Sequence, residues 1–205
     1  MTDSVSANRD YHDRVAKRYD EIYSGPRCEL WYDLSWAGVR PYLPRDLRAP
    51  VADLGCGTGF YGLRIAKSGY TVTLSDLSQG MVNAARDKAA RMELAERVQF
   101  LKADVMDLSA LPREHFALAV AQGDVLSFAA QPGKALKEIR KILRPGGVLV
   151  VSVDQTIAAL DHYVEKADLD GLKRYLRRAD AEIGLHLSSL ERIKCLGMEL
   201  SVVES

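Results

Sequence analysis

The residues best suited to chemistry lie in one short stretch, Val51-Ala52-Asp53-Leu54-Gly55-Cys56-Gly57-Thr58-Gly59. An apolar run ends in a carboxylate and opens into alternating glycines, where no Cβ keeps a ligand away from the backbone. A helix expected from Phe60 to Lys67 aims its first amide groups into the same turn, an arrangement that receives polar or anionic ligands. The residues alone admit two readings. Gly57-x-Gly59-x-x-Gly62 satisfies the GxGxxG pattern of dinucleotide sites, with Asp76 nineteen residues after Gly57 at the offset of a ribose-binding acid. The other reading is a D-x-G-x-G-x-G turn running from Asp53 to Gly59, with its acid two residues before the first glycine.

Further acids stand where strands are expected to end. Asp76 follows the apolar and β-branched run from Tyr70 to Leu74, and Asp104 follows the run from Val98 to Leu101. Asp124 lies in the loop Ala121-Gln122-Gly123-Asp124-Val125-Leu126-Ser127. A carboxylate after a strand can also simply cap the next helix, and Asp107 competes with Asp104 for its place. The four histidines (His12, His115, His162 and His186) show no metal-ligand spacing, so no metal is expected. Cys28, Cys56 and Cys195 form no CxxC pair and fit reduced thiols rather than a disulfide framework.

The elements that position these groups follow from periodicity. Strand-like runs at 51–54, 70–74, 98–101, 116–121 and 148–153 alternate with helical stretches, including 78–92 and 132–143. That alternation implies right-handed βαβ units. The fold class is therefore α/β: a doubly wound, mostly parallel sheet with helices on both faces. Before it, Tyr11, Val15, Tyr19, Ile22 and Tyr23 fall on one helix face that Gly25-Pro26 is expected to stop. A second helix is expected from Glu29 to Arg40, ended by Pro41. After 153 the alternation breaks. Residues 155–184 favour helix with a break at Asp168-Leu169-Asp170-Gly171, then a helix at 188–196 and a strand at 198–203. One domain spanning 1–205 results: a helical cap at 10–45, a core at 50–153, a helical lid at 155–184, and a C-terminal helix and strand at 187–205.

Taken together and in order, these segments resemble the motifs of the class I S-adenosylmethionine-dependent methyltransferases. Asp53 to Gly59 looks like the first motif, and Thr71-Val72-Thr73-Leu74-Ser75-Asp76-Leu77-Ser78-Gln79-Gly80-Met81 like the second. Val98 to Val105 is similar to the third, and Leu143-Arg144-Pro145-Gly146-Gly147 to the turn before the fifth strand. The resemblance covers about residues 10–153. It implies S-adenosyl-L-methionine as cofactor, with S-adenosyl-L-homocysteine as product. Asp53 would position the methionine end, with Gly55, Cys56, Gly57 and Gly59 forming the turn. Asp76 would take both ribose hydroxyls with Leu77 beside it, and Met81 would wall the adenine or serve as core. Asp104 and Val105 would meet the adenine edge. Gln122 and Gly123 would touch the methionine portion. Tyr11-His12-Asp13-Arg14-Val15-Ala16-Lys17-Arg18-Tyr19-Asp20 resembles the helix that closes over the cofactor in small-molecule members, which implies Tyr19 and Tyr11 at its methionine end. Asp124 is the candidate base facing the acceptor, with His12 as a second catalytic candidate. Asp124 as a helix cap, and Tyr11 and Tyr19 as core, are the plainer alternatives. A dinucleotide site has no use for Asp53 beside a pyrophosphate, which leaves a nicotinamide-dependent oxidoreductase, or a noncatalytic cofactor-binding partner, as the competing functions.

Composition narrows the acceptor. Twenty-eight basic residues balance twenty-eight acidic ones, so no cationic field exists to hold nucleic acid. The loop at 121–127 departs from the [DN]-P-P-[YF] pattern of enzymes that methylate nucleobase amines. A small-molecule acceptor is expected, with no nucleic acid and no membrane partner. The basic pairs Lys173/Arg177 and Arg174/Arg178 read as a solvated helix face. The opening Met1-Thr2-Asp3-Ser4 is polar, unlike a secretory signal, and a cytoplasmic location is expected. Family members usually carry seven strands, and here Ser188 to Glu199 resembles the helix and turn leading into the sixth. Only Leu200 to Ser205 follows, too little for a hairpin return. A six-stranded sheet is therefore expected, with the fifth strand's edge open and a homodimer favoured through it.

Overall fold

A computed structural model of the chain describes residues 4–153, 169–171, 173, 191–195 and 198–204. Five parallel strands carry the sheet: β1 (Val51–Leu54), β2 (Val72–Asp76), β3 (Val98–Lys102), β4 (Phe116–Ala121) and β5 (Leu143–Ser152). Two more follow, β6 (Glu191–Cys195) and β7 (Met198–Glu204), giving the order β3-β2-β1-β4-β5-β7-β6.

Strand alternation divides the core into two layers. Val51, Leu118, Val120 and Val150 pack on one face, while Ala52, Leu54, Ala119, Ala121, Leu149 and Val151 pack on the other. The first face is covered by Val39 of helix α3 (Pro26–Val39), by Tyr61, Leu63 and Ile65 of α4 (Phe60–Lys67), and by Ala85 and Ala89 of α5 (Gln79–Arg91). Leu126 of α6 (Val125–Phe128) and Ala135, Ile139 and Ile142 of α7 (Pro132–Ile142) cover the second. Every residue of β1 and of β4 is buried, as a central parallel strand covered on both faces requires.

Ahead of the sheet come α1 (Ser4–Val15), a 3-10 turn at Ala16–Arg18, and α2 (Tyr19–Ile22). The amphipathic face read from sequence is thus broken by a tight turn. Pro26 begins α3 rather than merely stopping its predecessor, because a first-turn proline lacks only an N–H that would go unused. The turn expected at 143–147 is itself part of β5, joined to β4 across a register shift between Phe116 and Leu118.

The C-terminal expectation needs correcting. The stretch read as a helix at 188–196 contains strand β6, and the sheet has seven strands rather than six. Only two residues separate β6 from β7, so the hairpin lies before the last strand and needs no chain after it. β7 runs antiparallel to β5 over Val148–Ser152 and separates it from β6. The open edge of β5, which was the argument for a homodimer, is therefore filled from within the chain. Residues 169–171 are helical where a break was expected, and the rest of the 155–184 lid lies outside the described residues.

Candidate active site

The carboxyl ends of β1, β2 and β3 bring three acids into neighbouring positions. β1 pairs with β2 from Val51↔Val72 to Leu54↔Ser75, and β2 pairs with β3 through Asp76↔Lys102. Asp53 is buried, and its Oδ2 accepts the Gly62 N–H at 2.7 Å. Burial pushes its carboxyl up to about 7, the Gly62 hydrogen bond partly offsets this, and the Asp76 charge adds to it. Gly62 has no alternative there, because a Cβ would lie 2.7 Å from that same oxygen and 2.7 Å from Leu74 Cδ1.

Asp76 is held from two sides. Oδ2 accepts the Gly57 N–H at 2.9 Å, and Oδ1 accepts the Ser78 N–H at 2.8 Å. Desolvation raises its carboxyl, against the lowering effect of those two bonds and of the His12 charge. An ionised carboxylate offers about four acceptor positions, so each oxygen keeps one for a further donor. That is the arrangement a vicinal diol requires. The Asp76 carbonyl also accepts the Ala103 N–H at 3.0 Å, which sets Asp104 beside it. Asp104 Oδ1 accepts the Met106 N–H at 2.8 Å, whereas the competing Asp107 is exposed and its Oδ1 accepts from Ser109.

The glycine turn runs beneath these acids. Gly55, Gly57 and Gly59 all have positive φ (68°, 53° and 87°). A Cβ on Gly57 would meet nothing within 4 Å, so the space above it is open to a ligand. A Cβ on Gly55 would strike Val125, which shows how closely the loop after β4 approaches this turn. Cys56 is buried, and its thiol is pushed up by desolvation and by the charges of Asp76 and Asp53. Leu77 is half-buried, Val105 packs against the second core layer, and the Met81 side chain is fully buried.

The loop after β4 supplies the opposite wall. Gln122 is 4% exposed, and its Nε2 donates to the Val150 carbonyl at 3.3 Å. Its Oε1 is buried with no hydrogen-bond partner among the described residues, and such an acceptor needs a donor. Ser152 Oγ accepts the Gly123 N–H at 2.9 Å and the Asp124 N–H at 3.3 Å, fixing the loop to the end of β5. Asp124 sits at the N-cap position of α6 in the left-handed region (φ 64°), yet its side chain makes no cap bond. A non-glycine residue held there is a costly conformation, and such residues gather at functional sites.

The N-terminal helices roof the turn. Tyr19 stands 4.5 Å from Tyr23, ring to ring, and 6.0 Å from His12. Burial, with Tyr23, Tyr32, Asp76 and Tyr11 nearby, raises the Tyr19 hydroxyl well above the usual phenol range. Tyr23 shares a side-chain hydrogen bond with Tyr11, which together with burial pushes it up to about 12. His12 Nδ1 donates to the Asn8 carbonyl at 2.8 Å, as helix geometry dictates, and this leaves Nε2 as the basic nitrogen. His12 thus belongs with Tyr19 on the roof, its charge felt by Asp76 at the end of β2, while Asp124 belongs to the loop after β4.

Sequence reasoning passed over the groups that hold the roof down. Asp13 Oδ1 accepts Ser78 Oγ–H at 2.6 Å and the Gly80 N–H at 2.8 Å. Burial alone would raise its carboxyl, but these bonds bring it below the ordinary range. Asp20 Oδ1 accepts Thr58 Oγ–H at 2.5 Å, and its Oδ2 pairs with Lys88 Nζ, which also donates to Thr58 Oγ1 at 3.0 Å. No helical spacing marks the pair, because Asp13 lies in α1 and Asp20 in α2, with the 3-10 turn at Ala16–Arg18 between them.

A parallel sheet with a glycine turn after β1 and acids at successive strand ends defines a Rossmann-like, cofactor-binding α/β fold. Residues 51–147 match the family described as methyltransferase domain. A tRNA 5-carboxymethoxyuridine methyltransferase of Escherichia coli K12 is 27% identical over 167 residues, covering 80% of this chain and 63% of that protein. A ubiquinone/menaquinone biosynthesis C-methyltransferase of Bradyrhizobium diazoefficiens is 30% identical over 153 residues, covering 71% and 59%. The solved structure of a Methanococcus maripaludis protein, described as S-adenosyl-L-methionine-dependent methyltransferase, superposes with a TM-score of 0.66 at 19% identity over 93% of this chain and 92% of that one. Residues 51–147 thus form a methyltransferase domain, and the chain has the fold of the class I S-adenosylmethionine-dependent methyltransferases, whose cofactor is S-adenosylmethionine. It spans about 60% of the length of the curated relatives named here. Among the described residues, no helix is long and apolar enough to cross a membrane.

Proposed function

We propose that the chain transfers the methyl group of S-adenosylmethionine to a nucleophilic oxygen, nitrogen or carbon of a small metabolite in the cytoplasm. The cofactor supplies an activated methyl on sulfur: the new bond forms to the acceptor as the S–CH3 bond breaks, leaving a neutral thioether. The observation that carries the reading is the pair of unspent acceptor positions on Asp76, matched to a ribose diol beside an open glycine turn.

The remaining roles follow from placement. Asp104 and Val105 serve the adenine edge, with Leu77 and Met81 behind it. Gly55, Cys56, Gly57 and Gly59 form the cradle. Asp53, Gln122 Oε1 and Gly123 serve the methionine end, where an ammonium group would give Gln122 its missing donor and favour ionised Asp53. Tyr19 and Tyr11 roof that end and exclude water. Alignment supplies much of the rate in such a displacement. The Asp124 carboxylate takes the proton where the acceptor carries one, and His12 Nε2 offers a second proton acceptor on the cofactor side. Balanced charge and the absence of a [DN]-P-P-[YF] loop support a small acceptor over nucleic acid.

The test is methyl transfer from radiolabelled S-adenosylmethionine to a panel of small phenols, quinols, amines and carboxylates, with bulk tRNA as a separate arm. Label in a small product supports the reading. Label in tRNA alone overturns the acceptor class, and cofactor binding without label anywhere favours a noncatalytic role.

A further inference from the structure

The two backbone donors that grip Asp76 belong to Gly57 and Ser78, one in the glycine turn and one at the start of α5. Two carboxylates of the N-terminal helices, Asp13 and Asp20, land on those same two loops. Asp20 holds Thr58, the residue after Gly57, and Asp13 holds the Ser78 side chain together with the Gly80 N–H. Lys88 of α5 closes the figure by bridging Asp20 and Thr58. Between the anchors, Ala16 rests on Gly80, where a Cβ would lie 3.1 Å from Ala16 Cβ and 3.1 Å from the Asp13 backbone. A larger residue at either position would lift the helix from its seat.

We infer that Asp13 and Asp20 are positioning residues that act through Asp76, so that docking of the N-terminal helices and the grip on the cofactor ribose reinforce one another. With the helices docked, Thr58 and Ser78 are fixed, and the Gly57 and Ser78 N–H groups hold both Asp76 oxygens with their remaining lone pairs toward the diol. With the helices released, both loops lose an anchor and the carboxylate loses its fixed orientation. Ligand binding in turn favours the docked state, because it adds contacts that exist only there. This inference rests on the reading of Asp76 as the ribose acceptor.

The two acids differ in what they need. Asp13 uses a single oxygen as acceptor for both of its partners, a task an amide oxygen can also perform. Asp20 uses one oxygen for Thr58 and the other for the Lys88 ammonium, and an amide would turn a donor toward that cation. The experiment is calorimetric titration of S-adenosylhomocysteine into the full chain and its variants. Asp13→Ala and Asp20→Ala should each weaken binding about tenfold, the equivalent of one charge-assisted contact. Asp13→Asn should stay within about twofold of the parent, while Asp20→Asn should behave like the alanine variant. In an Asp76→Asn background, Asp13→Ala and Asp20→Ala should cost less than about twofold further, because residues acting through one group do not add.

Full tenfold losses in both backgrounds would overturn the coupling and leave the acids as ordinary struts. Unchanged affinity in the single variants would overturn it as well. An unaltered affinity in Asp76→Asn alone would remove the ribose reading and the coupling together, whereas a loss there with none at Asp13 or Asp20 removes only the coupling. Should Asp20→Ala fail to fold, Thr58→Val breaks the same contact from the core side and must show the same loss.

Discussion

The strands of the sheet and the helices above them are held by different forces. In β1 and β4 every residue is buried, and Val51, Ala52, Leu54, Leu118, Ala119 and Val120 are fully enclosed. Among residues 5–25, Ala16 alone is almost fully buried, Tyr19 is half-buried, and Ile22 and Tyr23 are 46% and 37% exposed. The strands gain from apolar area removed from water, at roughly 25 cal/mol per Å². The helices gain from a few hydrogen bonds and one ion pair, each worth about 1 kcal/mol net. A region attached in that way opens locally at a small fraction of the global cost. The floor of the site is therefore the more stable region, and the roof is expected to open first.

The largest break in this contrast comes from the floor. Leu74 is fully buried between α4 and the glycine turn, and Leu74→Ala should cost about 2–5 kcal/mol in urea unfolding. A loss below about 1 kcal/mol would deny that burial holds this region.

A smaller effect comes from Asp53. Its folded carboxyl is raised to about 7 from an ordinary value of 3.8, so the folded state keeps a proton that the unfolded chain gives up. The stability associated with that proton is present below about pH 4 and is lost as pH rises toward 7. The upper bound is about 4 kcal/mol, from a rise of about three pH units at about 1.4 kcal/mol each. Between pH 5 and 8 the ligand-free parent should lose more of its urea midpoint than Asp53→Asn. Equal losses in the two proteins would refute the assignment.

The smallest effect belongs to the roof. Ile22→Ser removes an exposed side chain and should change stability by less than about 0.5 kcal/mol. A loss comparable to that of Leu74→Ala would show that the roof is part of the core.

Much of this was legible in the sequence because its signals are local. The apolar runs that became β1 to β5 sit between clear punctuation, and Asp53, Asp76 and Asp104 are marked by their place at strand ends. Two features escaped for the same reason. The segment Glu191–Cys195 carries a hydrophobic pattern short enough to fit a helix or a strand, and only pairing across the chain to β7, itself seated on β5, decides between them. The Asp13–Ser78 and Asp20–Thr58 contacts span 65 and 38 residues, and polar contacts at that separation leave no periodic trace. His12 and Asp124, read together as chemistry-bearing, stand on different elements, His12 in α1 and Asp124 at the start of α6.

The central claim is that the glycine turn and Asp76 hold the ribose of an S-adenosyl cofactor rather than a dinucleotide. Parallel calorimetric titrations of S-adenosylhomocysteine and NADH into the parent chain and Asp76→Ala test it most directly. Binding of S-adenosylhomocysteine alone is expected, weakened tenfold or more in the variant, since each lost bond to a charged acceptor is worth about 1.5–3 kcal/mol. Binding of NADH with comparable affinity, or a change below about twofold in Asp76→Ala, would contradict it.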